Sequence, residues 1–75
     1  MLLSELKIGQ KCRIDKMNNS EKIKRRLNNM GLVEGITITL VRVAPLKDPV
    51  EIKLRDFYLA IRKKQTKKIE VTVLE

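Results

Sequence analysis

Apolar positions recur two residues apart in several short stretches of the chain and three to four apart in one. In residues 11–15, Cys12 and Ile14 share one face and Lys11, Arg13 and Asp15 the other, the period of a half-buried strand. Residues 50–55 repeat the pattern with Val50, Ile52 and Leu54 inward. Residues 57–62 do so with Phe57, Leu59 and Ile61 on one side, and a last strand carries Ile69, Val71 and Val73. The stretch 36–43, ITITLVRV, is rich in β-branched residues, but its apolar phase changes near Leu40 and Val41, as a bulge or a strand buried at both ends would require. Asp56 marks the tight turn between the third and fourth of these strands. The expected inward set is Ile14, Ile38, Ile52, Leu54, Leu59, Ile61 and Val71.

The helical period belongs to the stretch NNSEKIKRRLNNMG. Asn19 or Ser20 serves as N-cap, Glu21 stands in the first turn and Gly31 just past the end. Ile23, Leu27 and Met30 form one apolar stripe, which leaves Lys22, Lys24, Arg25 and Arg26 largely on the solvent side. Before the first strand, Leu2, Leu3, Leu6 and Ile8, followed by Gly9, predict a short helical turn. The segment KKQTKK reads as a polar connector into the last strand.

Five short strands and one inserted helix cannot bury a flat sheet in a chain of 75 residues. Curling the sheet hides both its apolar face and its edges. The expected fold is therefore mainly β with one inserted helix, an SH3-like small barrel of about five strands filling residues 1–75 as a single domain. Both prolines fall in one loop of this plan. Pro cannot donate a ladder hydrogen bond, so Pro45 ends the second strand and Pro49 opens the third, stiffening Leu46, Lys47 and Asp48 between them.

Charge and reactive groups narrow the function. Seventeen Lys and Arg against nine Asp and Glu give a net charge of +8, which calls for an acidic partner. With no His and a single cysteine, Cys12, expected in the core, neither an internal disulfide nor a zinc site of the usual kind can be built. No nucleophile stands with a base, and no Gly-rich phosphate loop precedes the helix, so the chain reads as a non-enzyme. Asp48, Glu51 and Asp56 have no recognisable metal-ligand spacing, and no cofactor is expected. A nucleic-acid-binding barrel is the alternative that the charge suggests. Against it, only Phe57 and Tyr58 are aromatic, where single-strand binders present several stacking rings.

The order of the motifs resembles one family. Arg26 and Leu27 in the helix, then Gly31, Leu32 and Gly35, then Ala44, Pro45, Asp48 and Pro49, then Leu59, Ala60, Ile61 and Arg62 are similar to the pattern of FeoA, a small cytoplasmic SH3-like protein of bacterial ferrous iron uptake. Two departures stand out. Lys47 precedes Asp48 where the family usually has Gly, so a different loop backbone is expected. Asp56 stands where the family often has Gly, and Asp tolerates such turns. The resemblance implies a cytoplasmic interaction module, monomeric or weakly oligomeric and without membrane insertion, that docks on the cytoplasmic part of the GTP-hydrolysing transporter FeoB. It also associates the chain with transition metals, which leaves a weak divalent site open. A stand-alone relative of the C-terminal domain of iron-dependent repressors is a further alternative, with no helix-turn-helix before it.

The partner surface follows from the loop. Pro45, Leu46, Lys47, Asp48 and Pro49 are expected to make the contact, supplemented by Leu32 or Val33, while Lys22, Arg25 and Arg26 steer the approach.

Overall fold

The computed structural model describes residues 1–74. A 3₁₀ turn at Leu3–Glu5 leads into β1 (Lys11–Met17) and α1 (Glu21–Asn29). Next come β2 (Thr37–Val43), β3 (Val50–Leu54), β4 (Phe57–Ile61), a short α2 (Lys63–Thr66) and β5 (Ile69–Leu74). The strands make one antiparallel sheet in the order β4-β3-β2-β1-β5.

Two irregularities curl that sheet. On β1 the pairing with β5 slips between Ile14 and Lys16, and on β2 the pairing with β3 slips between Leu40 and Arg42, leaving Asp15 and Val41 as the extra residues. A bulge bends its strand and raises the local twist. It also resets the side-chain phase, which is why the apolar pattern of β2 changes near Leu40 and Val41. β2 pairs with β1 through Thr37–Thr39 and with β3 from Thr39 to Val43, so it is the strand about which the sheet folds over.

The concave face holds Ile14, Ile38, Ile52, Leu54, Ile69 and Cys12, all at most 1% exposed. Leu3 and Leu6 close one end. Ile14, Ile38, Ile52, Leu54, Ile61 and Val71 of the expected inward set are buried, whereas Leu59 is only partly so. Phe57 departs further, at 43% exposed. Both belong to β4, the last strand of the sheet, where one flank has no neighbouring strand to cover it. Ile8, grouped by sequence with the buried leucines, is 63% exposed because the chain has already turned toward Gly9.

α1 starts at Ser20, whose hydroxyl accepts the Ile23 N–H at 3.3 Å. Such a cap contributes about 1 kcal/mol. The helix stops at Gly31, which takes φ +101° and packs under the ring of Phe57. Its return to the sheet is tied twice to β1. Glu34 Oε2 accepts the Met17 N–H at 3.0 Å, and the Gly35 N–H donates to the Ile14 carbonyl at 2.7 Å. The KKQTKK segment, expected as a plain connector, contains α2, and Thr66 is fully buried. Its hydroxyl donates to the Lys63 carbonyl at 2.6 Å, which lets a polar residue sit in the core.

Candidate functional site

The loop between β2 and β3 is built from local bonds. The Lys47 N–H donates to the Ala44 carbonyl at 2.7 Å, closing a β-turn with Pro45 and Leu46 at its centre, where proline presets the required φ. Below the turn, the Ala44 N–H donates to the Pro49 carbonyl at 3.0 Å, clamping the loop base, and the Asp48–Pro49 peptide bond is cis. Lys47 takes φ +69°, so the backbone keeps the left-handed conformation instead of changing to suit the lysine. In the β3–β4 turn the left-handed residue is Arg55, at φ +53°, and not Asp56.

Asp48 fastens the loop to the rest of the molecule. Its Oδ1 accepts the Lys63 N–H at 2.9 Å, at the start of α2. With the carboxylate held there and both flanks closed by proline, Leu46 stands at the tip, 90% exposed, the most exposed of the large apolar side chains. A leucine in that position adds nothing to the core, so its worth lies in what it presents.

The other predicted residues separate. Lys22, Arg25 and Arg26 are exposed on the outer face of α1 and share a shallow depression of about 370 Å³ with Asn29 and Met30. Lys24, on the same helix, is turned aside toward Glu34, with Nζ 3.7 Å from Oε2. Arg26 and Asp48 meet on a larger groove of about 540 Å³ between α1 and the β4–α2 corner, floored by Leu27, Met30 and Ile61. Val33 is 39% exposed but does not line that groove. Leu32 is 0% exposed and is a core residue, which removes it from any partner surface. Its N–H donates to the Leu27 carbonyl at 3.0 Å as the helix unwinds, and this turns the side chain under α1.

Sequence reading missed Ala60, Arg62 and Lys64 as walls of the groove. The available signal was the run of lysines after β4, which α2 brings opposite the basic face of α1.

The chemistry of the remaining groups is quiet. Cys12 is wholly buried, and burial, with Asp15 nearby, pushes its thiol up to about 11. Asp15 is held below the ordinary carboxylate value by the Thr72 hydroxyl and then by Arg13, whose Nε lies 2.8 Å from Oδ1. Glu34 is likewise lowered, first by the Met17 N–H and then by Lys24. Among the described residues no group of three or more Cys, Asp and Glu is placed to hold a metal ion. The Lys53 ammonium lies 5.9 Å from the centroid of the Tyr58 ring, so one of the two aromatic side chains is already engaged by its own barrel. No helix among the described residues is long and apolar enough to cross a membrane.

Comparison with known proteins agrees with this architecture. The family described as the FeoA domain matches residues 1–73. A fusion protein of Porphyromonas gingivalis, named Fe(2+) transport protein A/Fe(2+) transporter FeoB, is 38% identical over 74 residues; these are 99% of this chain and 9% of that protein. The solution structure of FeoA from Chlorobium tepidum superposes with a TM-score of 0.94 at 35% identity, covering 100% of this chain and 71% of that one. The crystal structure of Stenotrophomonas maltophilia FeoA complexed with zinc, described as a procaryotic SH3 domain protein, matches with a TM-score of 0.80 at 25% identity over 96% of this chain and 89% of that one.

Proposed function

The chain belongs to the FeoA domain family, and from that membership we propose that it is a cytoplasmic, non-enzymatic docking module of ferrous iron import that binds the cytoplasmic part of a FeoB-type transporter. The Porphyromonas gingivalis relative carries both names in one polypeptide, and two modules fused in one chain commonly act on each other. The observation that carries the reading for this molecule is the loop tip. Leu46 is 90% exposed on a turn that Pro45, Pro49 and the Asp48–Lys63 hydrogen bond hold in place.

In this reading Leu46 is the apolar anchor, with Pro45, Lys47 and Pro49 shaping the turn that presents it. Asp48 positions the loop. Lys22, Arg25 and Arg26 supply a positive face that speeds encounter with an acidic surface, acting on the association rate and its salt dependence, while the anchor governs dissociation. Val33 is a peripheral contact.

The test is a pull-down against the transporter's purified cytoplasmic domain, with Leu46→Asp compared with Lys67→Asp as surface control and circular dichroism confirming that both stay folded. Leu46→Asp should bind about tenfold or more weakly, as expected when a buried anchor is lost, and Lys67→Asp like the parent. If both variants bind as the parent does, the loop is only a connector between strands.

A further inference from the structure

The groove between α1 and the β4–α2 corner has features that a solvated surface does not require. Its floor is apolar, formed by Leu27, Met30 and Ile61, with Ile23 half-buried beside them. Its walls are cationic on both sides. Arg26 stands on α1, and Arg62 and Lys64 stand opposite, all three exposed. The single carboxylate on the lining, Asp48, already accepts the Lys63 N–H. The groove therefore has positive charge that nothing within it neutralises.

One wall also offers main-chain groups. β4 pairs only with β3 and ends the sheet on that side. The turn joining them has two residues, with Leu54 opposite Phe57. A two-residue turn closes on a hydrogen-bonded pair, and hydrogen-bonded and non-bonded pairs alternate from there. The N–H groups of Tyr58 and Ala60 consequently face away from β3, along the free edge. The opposite edge of the sheet is guarded, because the Val71 N–H of β5 donates to the Met1 carbonyl at 2.7 Å and Leu2 bridges to Glu70. Among the described residues no such cover lies on β4.

We propose that this groove receives an extended, acidic segment of a protein partner, which adds as a strand to the free edge of β4, sets alternate apolar side chains on the Leu27–Met30–Ile61 floor and places carboxylates against Arg26, Arg62 and Lys64. Strand addition uses main-chain hydrogen bonds for affinity and alternate side chains for specificity, and an exposed edge next to an apolar floor provides both. Charge selects the occupant. A second copy of this chain would bring a further net charge of +8 against walls that are already cationic. A nucleic acid would meet an apolar floor with no aromatic ring on it. The inference rests on the docking role proposed above and names the chemistry of the partner's contact, but its test uses no transporter.

The probe is an acetylated, amidated peptide of about eight residues, the length of an ordinary strand, in which Glu alternates with Leu. Titrated to about 1 mM into the intact chain, it should shift the amide resonances of Tyr58, Ala60 and Arg62 and those of α1 around Arg26. Arg26→Glu with Lys64→Glu should weaken binding roughly tenfold through reversed charge on both walls. The Lys-for-Glu peptide and a peptide N-methylated at alternate residues should not bind. The idea is overturned if the acidic peptide produces no shifts, shifts a different face, or binds no better than the Lys or N-methylated version. It is overturned equally if a short oligothymidylate takes the groove in its place. Because the pull-down reports on Leu46 and this titration on β4, either can fail while the other succeeds.

Discussion

Replacing Leu32 by Ala deletes three carbon atoms from a side chain that solvent does not reach, at 0% exposure. Transfer of those atoms alone costs roughly 2.4 kcal/mol at about 0.8 kcal/mol per buried CH₂. The space left under α1 adds a cavity term, which brings buried Leu→Ala changes to about 2 to 5 kcal/mol. Leu46, at 90% exposure, has about a tenth of its surface to lose, so Leu46→Ala should stay within about 0.5 kcal/mol of the parent. Urea unfolding followed by far-UV circular dichroism separates the two. With a slope near 1 kcal/mol per molar for a domain of this size, the midpoint should fall by about 2 M or more for Leu32→Ala and hardly move for Leu46→Ala. A small domain has only about 5 kcal/mol in total, so Leu32→Val, at roughly 1 kcal/mol, provides a folded comparison should the alanine variant unfold outright. A difference of less than about 1 kcal/mol between the two alanine variants would refute the assignment of Leu32 to the core and Leu46 to the surface.

Gly31→Ala should cost about 1 to 3 kcal/mol, because its φ of +101° disfavours any side chain and the added Cβ would stand 3.1 Å from Cζ of Phe57. Gly9→Ala, at φ +94° in open space, should cost less, and in a Phe57→Ala background the two should converge; a Gly31 penalty no larger than that of Gly9 would contradict the contact. Glu34, lowered below its ordinary 4.5 by the Met17 N–H and then by Lys24, supports the fold above that pH and loses its contribution as the pH falls through the lowered value. The urea midpoints of the parent and Glu34→Gln should therefore approach each other on going from neutral pH to about pH 3, and a gap that widens on acidification would run against the sign of this linkage.

Strand positions were readable from the sequence because alternation survives wherever one face of a sheet is covered. Residues 11–15 and 50–55 show it cleanly, and the change of phase in 36–43 allowed either a bulge or a strand buried at both ends, of which the slip between Leu40 and Arg42 is the bulge. What the pattern could not convey was asymmetry between edges. Phe57 alternates as an inward residue should, yet it lies 43% exposed, since burial on the end strand depends on what else packs there. Leu32 failed in the opposite direction. A leucine just past a helix stop looks the same whether the unwinding chain turns it in or out, and the Leu32–Leu27 hydrogen bond that turns it in has no signature in residue type. α2 was hidden in KKQTKK because four of the six residues are lysines, while Thr66, the one that packs, is polar. The groove opposite α1 was lost with it. Its two walls lie more than thirty residues apart in sequence, and their shared charge emerges only when the chain has folded.

The loop was the most legible part of the candidate site, and the structure gives its chemistry a direction. Lys47 at φ +69° occupies a conformation that costs a non-glycine residue roughly 1 kcal/mol or more, so something must hold it there. The closed turn at Ala44, the clamp between Ala44 and Pro49 and the carboxylate of Asp48 on α2 are the restraints present. Together with the two fixed proline φ angles they order the residues around Leu46 before any partner arrives. Ordering a backbone costs about 1 to 2 kcal/mol per residue, and for this loop that cost is met during folding instead of docking. A preformed tip carrying one exposed leucine can thus bind through little apolar area without the entropic loss that a flexible loop of the same sequence would incur.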